Sequence, residues 1–263
     1  MDLQLTDKIA LVTGSTAGIG LEIARCLAAE GAEVVITGRD QAKLDRALDD
    51  IAGSRHRNVS AVRADSGTAE GANMLIRAVP KVDILVNNLG IYESRKFSEI
   101  TDENWLHMFE VNVLSGVRLA RAYFPSMLTR NWGRIIFVSS EAALVTAPDM
   151  IHYGMTKTAQ LAISRGLAVA AKGTGVTVNS VLPGPTRSEG IVDFLKGFSS
   201  NPDASAEEIE AEFFAKQRPA SLLQRTIEAE EIASMVAYLA SPRSAATSGA
   251  AMHVDGGLIT TIA

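Results

Sequence analysis

The chain has 263 residues, of which 47% are hydrophobic and 21% charged, the balance of an ordinary globular protein with ample length for a buried core. The net charge of −5 disfavours nucleic acid and anionic membranes as main partners. The single cysteine, Cys26, excludes a disulfide within the chain.

The sequence also carries no sign of export, membrane insertion or metal binding. The start, MDLQLTDK, lacks a basic region followed by an apolar run, so we expect no secretory signal. No run of 18 uncharged apolar residues occurs, which favours a soluble cytoplasmic protein. The four histidines are scattered without the spacing of metal ligands, so we expect no metal site.

Short β-branched runs alternate with helical patterns along the chain. The runs predict strands at 8–14, 33–39, 59–65, 82–88, 134–140, 176–184 and 250–257. Helical patterns lie at 20–31, 40–52 and 102–130, and a further one carries Tyr153 and runs to about 172. This alternation predicts an α/β fold, a doubly wound parallel sheet of about seven strands with helices on both faces.

The segment 185–225 interrupts this alternation between the sixth and seventh predicted strands. It is much longer than a minimal crossover needs. Insertions of this kind often act as lids over a site. Alternatively, the segment forms helices on the surface that have no part in the function.

The first predicted strand runs into a glycine-rich loop, TGSTAGIG, which lies directly before a helix. Glycines at such a turn let the backbone approach a pyrophosphate, and the helix N-terminus offers free N–H groups. The spacing is G-x-x-x-G-x-G rather than the more usual G-x-G-x-x-G. The loop predicts a dinucleotide site built from Gly14, Ser15, Thr16, Gly18, Ile19 and Gly20.

The residues after the second predicted strand bear on the choice between NAD and NADP. An acidic residue there would accept hydrogen bonds from the ribose of NAD, but this chain has Gly38 and Arg39. The Arg39 guanidinium can clamp a 2′-phosphate, which favours NADP(H), with NAD(H) possible. Alternatively, Arg39 is an exposed residue beside a helix cap, Asp40. Asp65, after the third strand, could bind the adenine amino group or cap the next turn.

The stretch HYGMTK places Tyr153 and Lys157 four residues apart. On a helix the two side chains would lie one turn apart on the same face. An ammonium near the phenol favours the phenolate and lowers its pKa, which would give a usable general acid or base. The pair alone also fits two side chains that simply share a solvated face.

Seven stretches in this order resemble the short-chain dehydrogenase/reductase family, in its branch of about 250 residues. They are TGSTAGIG, NNLG, the VN at 111–112, VSS, YGMTK, PGPT and VDGG. The resemblance covers nearly the whole chain. It implies a single-domain Rossmann fold that transfers a hydride between a nicotinamide and an alcohol or carbonyl.

The resemblance also implies a catalytic tetrad of Asn112, Ser140, Tyr153 and Lys157, with Ser139 as the near alternative for the serine. Tyr153 would be the general acid or base, and Lys157 would lower its pKa and hold the nicotinamide ribose. Ser140 would hydrogen-bond the substrate oxygen. Asn112 would order, through its backbone, a water that relays protons to Lys157.

Further cofactor contacts are implied by the remaining motifs. Asn88 and Gly90 belong to NNLG, in which Leu89 replaces the family's small alanine. Pro183 and Gly184 would pass the nicotinamide, and Thr186 would hold its carboxamide. Family members are commonly homotetramers built through two long helices, where the small residues Ala159, Ala162, Gly166 and Ala170 permit close packing or else face their own sheet.

Substrate identity is not readable from these patterns. We expect the pocket to be lined from after Ser140 and Gly90, from around Met150, and from 185–225; the candidates are Glu141, Ala142, Ala143, Leu144, Met150, His152, Ile91, Tyr92 and Glu93. Glu141 would favour a hydroxylated or cationic substrate, or would bond a neighbouring backbone amide. The alternative to an enzyme is a dinucleotide-binding sensor or scaffold, although such a protein has no need of the proton-transfer residues.

Overall fold

Seven strands form one sheet at the centre of the computed structural model, which describes residues 2–53, 58–188 and 191–261. Every neighbouring pair of strands is parallel, so the predicted doubly wound sheet is confirmed. The strands are shorter than predicted at most ends: β1 (Ile9–Val12), β2 (Glu33–Gly38), β3 (Val59–Arg63), β4 (Ile84–Asn87), β5 (Gly133–Val138), β6 (Val176–Pro183) and β7 (Ala251–Val254).

The strand order is β3-β2-β1-β4-β5-β6-β7. The order reverses between β1 and β4, and this reversal creates a crevice at the carboxyl edge of the sheet. Residues that follow β1, β4, β5 and β6 therefore meet at one edge, although they are far apart in sequence.

Helices cover both faces of the sheet. They are α1 (Gly18–Ala29), α2 (Gln41–Gly53), α3 (Ala69–Ala78), α4 (Asp102–Phe109), α5 (Ser115–Thr129), α6 (Ile151–Ala170), α7 (Ile191–Lys196), α8 (Ala206–Gln217) and α9 (Ala229–Ala240). One apolar cluster joins the sheet to α1, α2 and α9, and a second joins it to α3, α5 and α6. The two clusters explain why the central strands read as continuous apolar runs.

The long helix predicted at 102–130 is interrupted by a π-helical turn at Glu110–Leu114. Such turns contain one extra residue and are frequent at functional sites. Here the wider turn contains Asn112, whose side chain exchanges hydrogen bonds with the backbone of Ile91. The sequence analysis predicted one continuous helix over 102–130 and so missed this turn.

The segment 185–225 folds into α7 and α8 over the carboxyl edge of the sheet; its residues 189 and 190 lie outside the described part of the chain. Its own small apolar cluster is built from Leu195, Ile209, Phe213 and Phe214. Arg187 pairs with Glu210 of α8 at 3.4 Å and ties the segment to Glu228 at 2.9 Å. The segment is therefore a packed unit rather than an irregular loop.

Among the described residues, no helix has both the length and the apolar character needed to cross a bilayer. The same residues contain no cluster of His, Cys, Asp or Glu that could hold a metal ion.

Candidate active site

A cavity of about 220 Å³ lies at the carboxyl edge of the sheet, beneath α7 and α8. It joins residues from the ends of β4, β5 and β6 to side chains of segment 185–225. Its wall includes Ile19, Asn88, Gly90, Tyr92, Ser140, Glu141, Tyr153, Lys157, Gly184, Thr186, Phe194 and Arg218. The tertiary structure thus brings most of the predicted site residues to one place.

Tyr153 and Lys157 project from the same face of α6 into this cavity. The Lys157 ammonium lies 5.5 Å from the centre of the Tyr153 ring. It donates a hydrogen bond to the Val138 carbonyl at 3.1 Å and lies 3.5 Å from Gln160 Oε1. The lysine is held at the end of β5, where only 4% of it is exposed.

The pKa values of this pair differ from the sequence-based expectation. Burial raises the pKa of Tyr153, the Glu141 carboxylate raises it further, and a hydrogen bond with Ser140 acts in the opposite direction. Burial also lowers the pKa of Lys157 to about 8. The expected lowering of the Tyr153 pKa by Lys157 is not found in the protein alone, because burial disfavours the charged phenolate and the Glu141 carboxylate disfavours it further.

The two serines after β5 have different partners. The Ser139 hydroxyl donates to the Lys157 carbonyl at 2.9 Å and so ties β5 to α6. The Ser140 hydroxyl donates to Glu141 Oε2 at 2.5 Å, and its oxygen accepts the Ala142 N–H at 3.1 Å. Ser140 also hydrogen-bonds Tyr153, so it is the serine that meets the tyrosine.

Glu141 is buried beside the tyrosine and serine. Burial raises the pKa of its carboxyl group, while Ser140, Arg218 and the backbone amides of Ala142 and Glu141 lower it. The carboxylate thus bonds nearby amides, as the second sequence-based reading had it, and also lies on the cavity wall. Its expected preference for a hydroxylated or cationic substrate stays a prediction. Arg218 Nη2 lies 3.7 Å from Glu141 Oε1 and brings a positive charge from the end of α8.

Asn112 holds the loop after β4 rather than facing the cavity. Its side chain amide donates to Ile91 O at 2.9 Å and Thr156 Oγ1 at 3.0 Å. Its backbone carbonyl, expected to bind a relay water, accepts the Gln160 side chain at 2.6 Å. Because a carbonyl has two lone pairs, a water can bind there only beside Gln160.

Gln160 is a residue that the sequence analysis missed. It is buried and connects the Asn112 carbonyl to the Lys157 ammonium through the two ends of its amide. It lies on α6 three residues after Lys157, which puts both side chains on one helix face. This spacing is the only signal that could have indicated its role.

The glycine loop fits a dinucleotide phosphate site. Gly14 adopts a φ of +62°, which strongly favours glycine at this turn. A Cβ added to Gly20 would lie 2.4 Å from Gly14 O and 2.5 Å from Asn88 Nδ2, so α1 needs a glycine there. Ala17 precedes α1 and offers the helix no side-chain cap, which leaves the first-turn N–H groups suited to bind an anion. Ser15 is turned inward and donates to Val12 O at 2.7 Å.

The NNLG turn after β4 braces this loop. Asn88 Nδ2 donates to Thr13 O at 2.9 Å and to Gly14 O at 3.0 Å. The Leu89 N–H donates to Thr13 Oγ1 at 3.0 Å, and the leucine side chain packs against Gly14. Leu89 therefore packs directly against the glycine loop, and a smaller residue at this position would leave more space beside Gly14.

Two arginines stand at the ends of β2 and β3, where the adenosine ribose is expected. Arg39 is exposed directly after β2, and Arg63 Nε donates to the Arg39 carbonyl at 3.3 Å. Asp40 caps α2 by accepting the Lys43 N–H at 3.0 Å, as the alternative reading had it. Arg63 was missed because it ends a strand that the sequence pattern extended to Asp65.

The remaining predicted cofactor residues lie near the same crevice. Asp65 is exposed and accepts the Gly67 N–H at 3.1 Å, so it does cap its turn. Pro183 ends β6, and Gly184 follows it in close contact with Asp255. The Thr186 hydroxyl donates to Gly184 O at 2.8 Å, which leaves its lone pairs to accept a further hydrogen bond.

Some of the expected pocket residues lie elsewhere. Of the candidates, the residues that line the cavity are Ile91, Tyr92, Glu141, Ala142 and Met150. His152 is fully buried and turns toward Trp105, at 5.9 Å between ring centres, and Glu93, at 3.7 Å. Ala162, Gly166 and Ala170 are exposed, so these three residues do not face their own sheet, while Ala159 is half-buried.

Comparison with known proteins gives matches over the whole chain. A family model described as enoyl-(acyl carrier protein) reductase matches residues 14–259. The uncharacterized oxidoreductase YvaG of Bacillus subtilis (strain 168) is 48% identical over 263 residues, which cover 100% of each chain.

Solved structures are similar over nearly all of their length as well. The structure of a short chain dehydrogenase/reductase family protein has a TM-score of 0.85 and 36% identity, and the match covers 99% of this chain and 100% of that one. The L-sorbose reductase from Gluconobacter frateurii, in complex with NADPH and L-sorbose, has a TM-score of 0.93 and 30% identity with full coverage of both chains.

Proposed function

The chain belongs to the short-chain dehydrogenase/reductase family and is an oxidoreductase of that family, and from this premise we propose that it interconverts a carbonyl compound and a secondary alcohol with NADP(H). The observation that carries the proposal is the meeting of Ser140, Tyr153 and Lys157 in one cavity that also reaches the glycine loop.

The proposed cofactor site runs along the crevice at the carboxyl edge. Gly14, Gly18 and Gly20, with the backbone of Ser15, Thr16 and Ile19, would surround the pyrophosphate. Asn88 and Gly90 would line the middle of the site, and Pro183, Gly184 and Thr186 its nicotinamide end. A bound nicotinamide would supply or accept the hydride.

Arg39 carries the proposed preference for NADP(H). It stands where an acidic residue would select NAD, and Arg63 adds a second guanidinium to the same edge. Two adjacent cations favour a 2′-phosphate by charge and by hydrogen bonding. Asp65 would contact the adenine. The NADPH complex of the similar L-sorbose reductase supports this preference.

The chain's own residues would handle the proton and the developing charge. During reduction, Tyr153 would donate its phenolic proton to the carbonyl oxygen. During oxidation, its phenolate would take the proton from the hydroxyl of the alcohol. Ser140 would donate a hydrogen bond to the same oxygen. Lys157 would hold the ribose and exchange protons with Tyr153, and Gln160 and Asn112 would position it.

The segment 185–225 would act as the lid of this single domain, since its side chains Phe194, Phe213 and Arg218 form the outer wall of the cavity. We further propose a cytoplasmic homotetramer or homodimer associated through α5 and α6. The exposed Val169 and the exposed small residues of α6 support that contact. Light scattering coupled to size-exclusion chromatography tests it.

The Tyr153→Phe variant tests the proposed reaction. The phenyl ring keeps the packing but has no proton to give, so turnover of any carbonyl substrate should fall by at least about 100-fold. NADPH binding, followed by nucleotide fluorescence, should persist. An unchanged rate would refute the role of Tyr153, and the absence of turnover in the unmodified protein with every carbonyl tried would favour a non-catalytic sensor.

Cofactor preference is measured separately by titrating the protein with NADPH and NADH at fixed salt. We expect tighter binding of NADPH, and expect the Arg39→Ala and Arg63→Ala variants each to reduce that advantage by about tenfold. Binding of NADH should change little in either variant, because NADH has no 2′-phosphate. Tighter binding of NADH by the unmodified protein would overturn the assignment.

A further inference from the structure

We propose that the substrate is a small ketone with a hydroxyl group on the carbon next to the carbonyl, and that Glu141 and Arg218 together recognise this hydroxyl. The inference rests on the proposed function, since it assigns the substrate class of the same site. It starts from a pair of opposite charges on the wall of the cavity, one from the end of β5 and one from the end of α8.

The Arg218 guanidinium is only partly hydrogen-bonded: its Nη1 donates to Gln217 O at 2.9 Å, but its other nitrogens do not bond Glu141. Arg218 Nη2 lies 3.7 Å from Glu141 Oε1, which is beyond hydrogen-bond distance. Among the described residues, the buried Arg218 Nε has no hydrogen-bond partner. The side chain of Arg218 is 18% exposed, and its guanidinium packs 5.5 Å from the Phe213 ring centre. Buried polar groups normally have partners, so a missing partner here points to a ligand.

A hydroxyl group satisfies both members of the pair at once. It donates its proton to the Glu141 carboxylate and accepts a hydrogen bond from the Arg218 guanidinium. A carboxylate on the substrate would meet repulsion from Glu141, and an ammonium would meet repulsion from Arg218. An alkyl chain would cover both charges without bonding either one. Rejection of analogues that lack a hydroxyl is strong in sites built this way.

The position of the hydroxyl follows from Ser140. Glu141 Oε2 lies 2.5 Å from Ser140 Oγ, and Ser140 is the serine that would bind the carbonyl oxygen. The carboxylate therefore contacts the substrate directly beside the reacting carbonyl. The cavity of about 220 Å³ must also admit the nicotinamide, which limits the substrate to a small molecule.

This contact also couples recognition to catalysis. Without substrate, the Ser140 hydroxyl is committed to Glu141. A substrate hydroxyl that donates to Glu141 competes with Ser140 for the carboxylate and weakens the bond between them, which makes the Ser140 proton available to the substrate carbonyl. A ketone without the hydroxyl leaves Ser140 bound to Glu141, so it should lose kcat as well as affinity.

The overall reaction balances as a two-electron reduction. The carbonyl carbon gains a hydride from the reduced nicotinamide, and its oxygen gains the proton of Tyr153. Tyr153 regains a proton from solvent through Lys157. The product is a vicinal diol, and the oxidised nicotinamide is released.

Four ketones of the form CH3–CO–CH2–X test the proposal because they differ only in X. They are hydroxyacetone (hydroxyl), butan-2-one (methyl), acetoacetate (carboxylate) and aminoacetone (ammonium). With NADPH and the purified full-length protein, we expect kcat/KM for hydroxyacetone to exceed that for each of the other three by at least about 100-fold. The hydroxyl and methyl groups are nearly equal in size, so that pair isolates the hydrogen bonds.

Two variants assign the preference to the charge pair. Glu141→Gln should lower the ratio of hydroxyacetone to acetoacetate by at least about tenfold, because the repelling charge is gone. Arg218→Met should lower the ratio of hydroxyacetone to aminoacetone by a similar factor. A purely structural role would lower all four rates together and leave these ratios unchanged. Arg225→Met is the matched control, since Arg225 belongs to the same segment but pairs with Glu231 at the surface.

The outcomes distinguish a failure of the substrate assignment from a failure of the proposed function. If kcat/KM for butan-2-one or acetoacetate equals that for hydroxyacetone, the substrate class is wrong while the proposed function stands. The same holds if both variants keep the ratios of the unmodified protein. If NADPH binds but none of the four ketones nor any larger ketone is reduced, the proposed function fails and the substrate assignment fails with it.

Discussion

Replacing Lys157 with methionine should change how stability depends on pH, because the structure buries this ammonium. A pKa lowered from 10.5 in the unfolded chain to about 8 in the folded protein corresponds to about 3 kcal/mol of unfavourable burial of the charge. This cost is fully present below pH 8, where both states are protonated. It is relieved as the pH rises toward 10.5, because the folded state then carries the neutral amine while the unfolded state still binds the proton.

The experiment compares the free energy of unfolding of the two proteins without nucleotide, by denaturant titration, from pH 7 to pH 10. The unmodified protein should gain about 2 kcal/mol relative to Lys157→Met over this range, which is most of the full difference. Other groups that titrate at alkaline pH are present in both proteins, so their contributions cancel in the comparison. Methionine preserves the length of the side chain and removes its charge.

Lys172→Met is the matched control, because Lys172 is exposed just after α6. Its stability difference from the unmodified protein should not vary with pH. If the Lys157→Met difference is equally flat, the ammonium is not desolvated in the folded protein. A difference of opposite slope would mean that a negative group, such as Glu141, holds the lysine in its charged form. Either result would refute the reasoning from burial.

Three further predictions concern the loop, the lid and the lysine's neighbour. Gly20→Ala should weaken NADPH binding at least tenfold, because the added Cβ would lie 2.4 Å from Gly14 O. Gly166→Ala is the control and should leave NADPH binding unchanged, because its Cβ meets no described atom within 4 Å. Phe213→Ala should raise KM and speed proteolysis within 185–225, because it removes about 3 kcal/mol of packing from the cluster there; equal cleavage of both proteins would contradict a packed lid. In Gln160→Leu, the rise of stability with pH should begin at a lower pH, because the Lys157 ammonium loses an acceptor at 3.5 Å and its pKa falls further. An unchanged dependence of stability on pH would mean that this contact does not act on Lys157.

The sequence was most informative about the sheet and about local motifs. Apolar β-branched runs predicted every strand, because strands buried on both faces leave a period-free apolar signal that is hard to miss. The glycine loop and the Tyr153–Lys157 spacing are local patterns, and local geometry alone places them on a turn and on a helix face. The strands were predicted to extend too far, since residues such as Asp65 follow a strand in sequence without joining the hydrogen bonds of the sheet.

Properties that depend on distant neighbours could not be read from the sequence. The choice of Ser140 over Ser139 follows from their partners, because Ser139 bonds the Lys157 backbone while Ser140 acts on Tyr153. The raised pKa of Tyr153 follows from burial beside Glu141. Arg218 reaches Glu141 only because α8 folds back over the sheet.

The sequence by itself therefore determined the parallel sheet, the glycine loop and the residues available for chemistry, since each depends on short-range patterns. The tertiary structure decided which of these residues meet and what charge each one carries there. The physical reason is that pKa values and contacts depend on solvent exclusion and on neighbours more than a hundred positions away in some cases, as in the contact of Arg134 with Ser241.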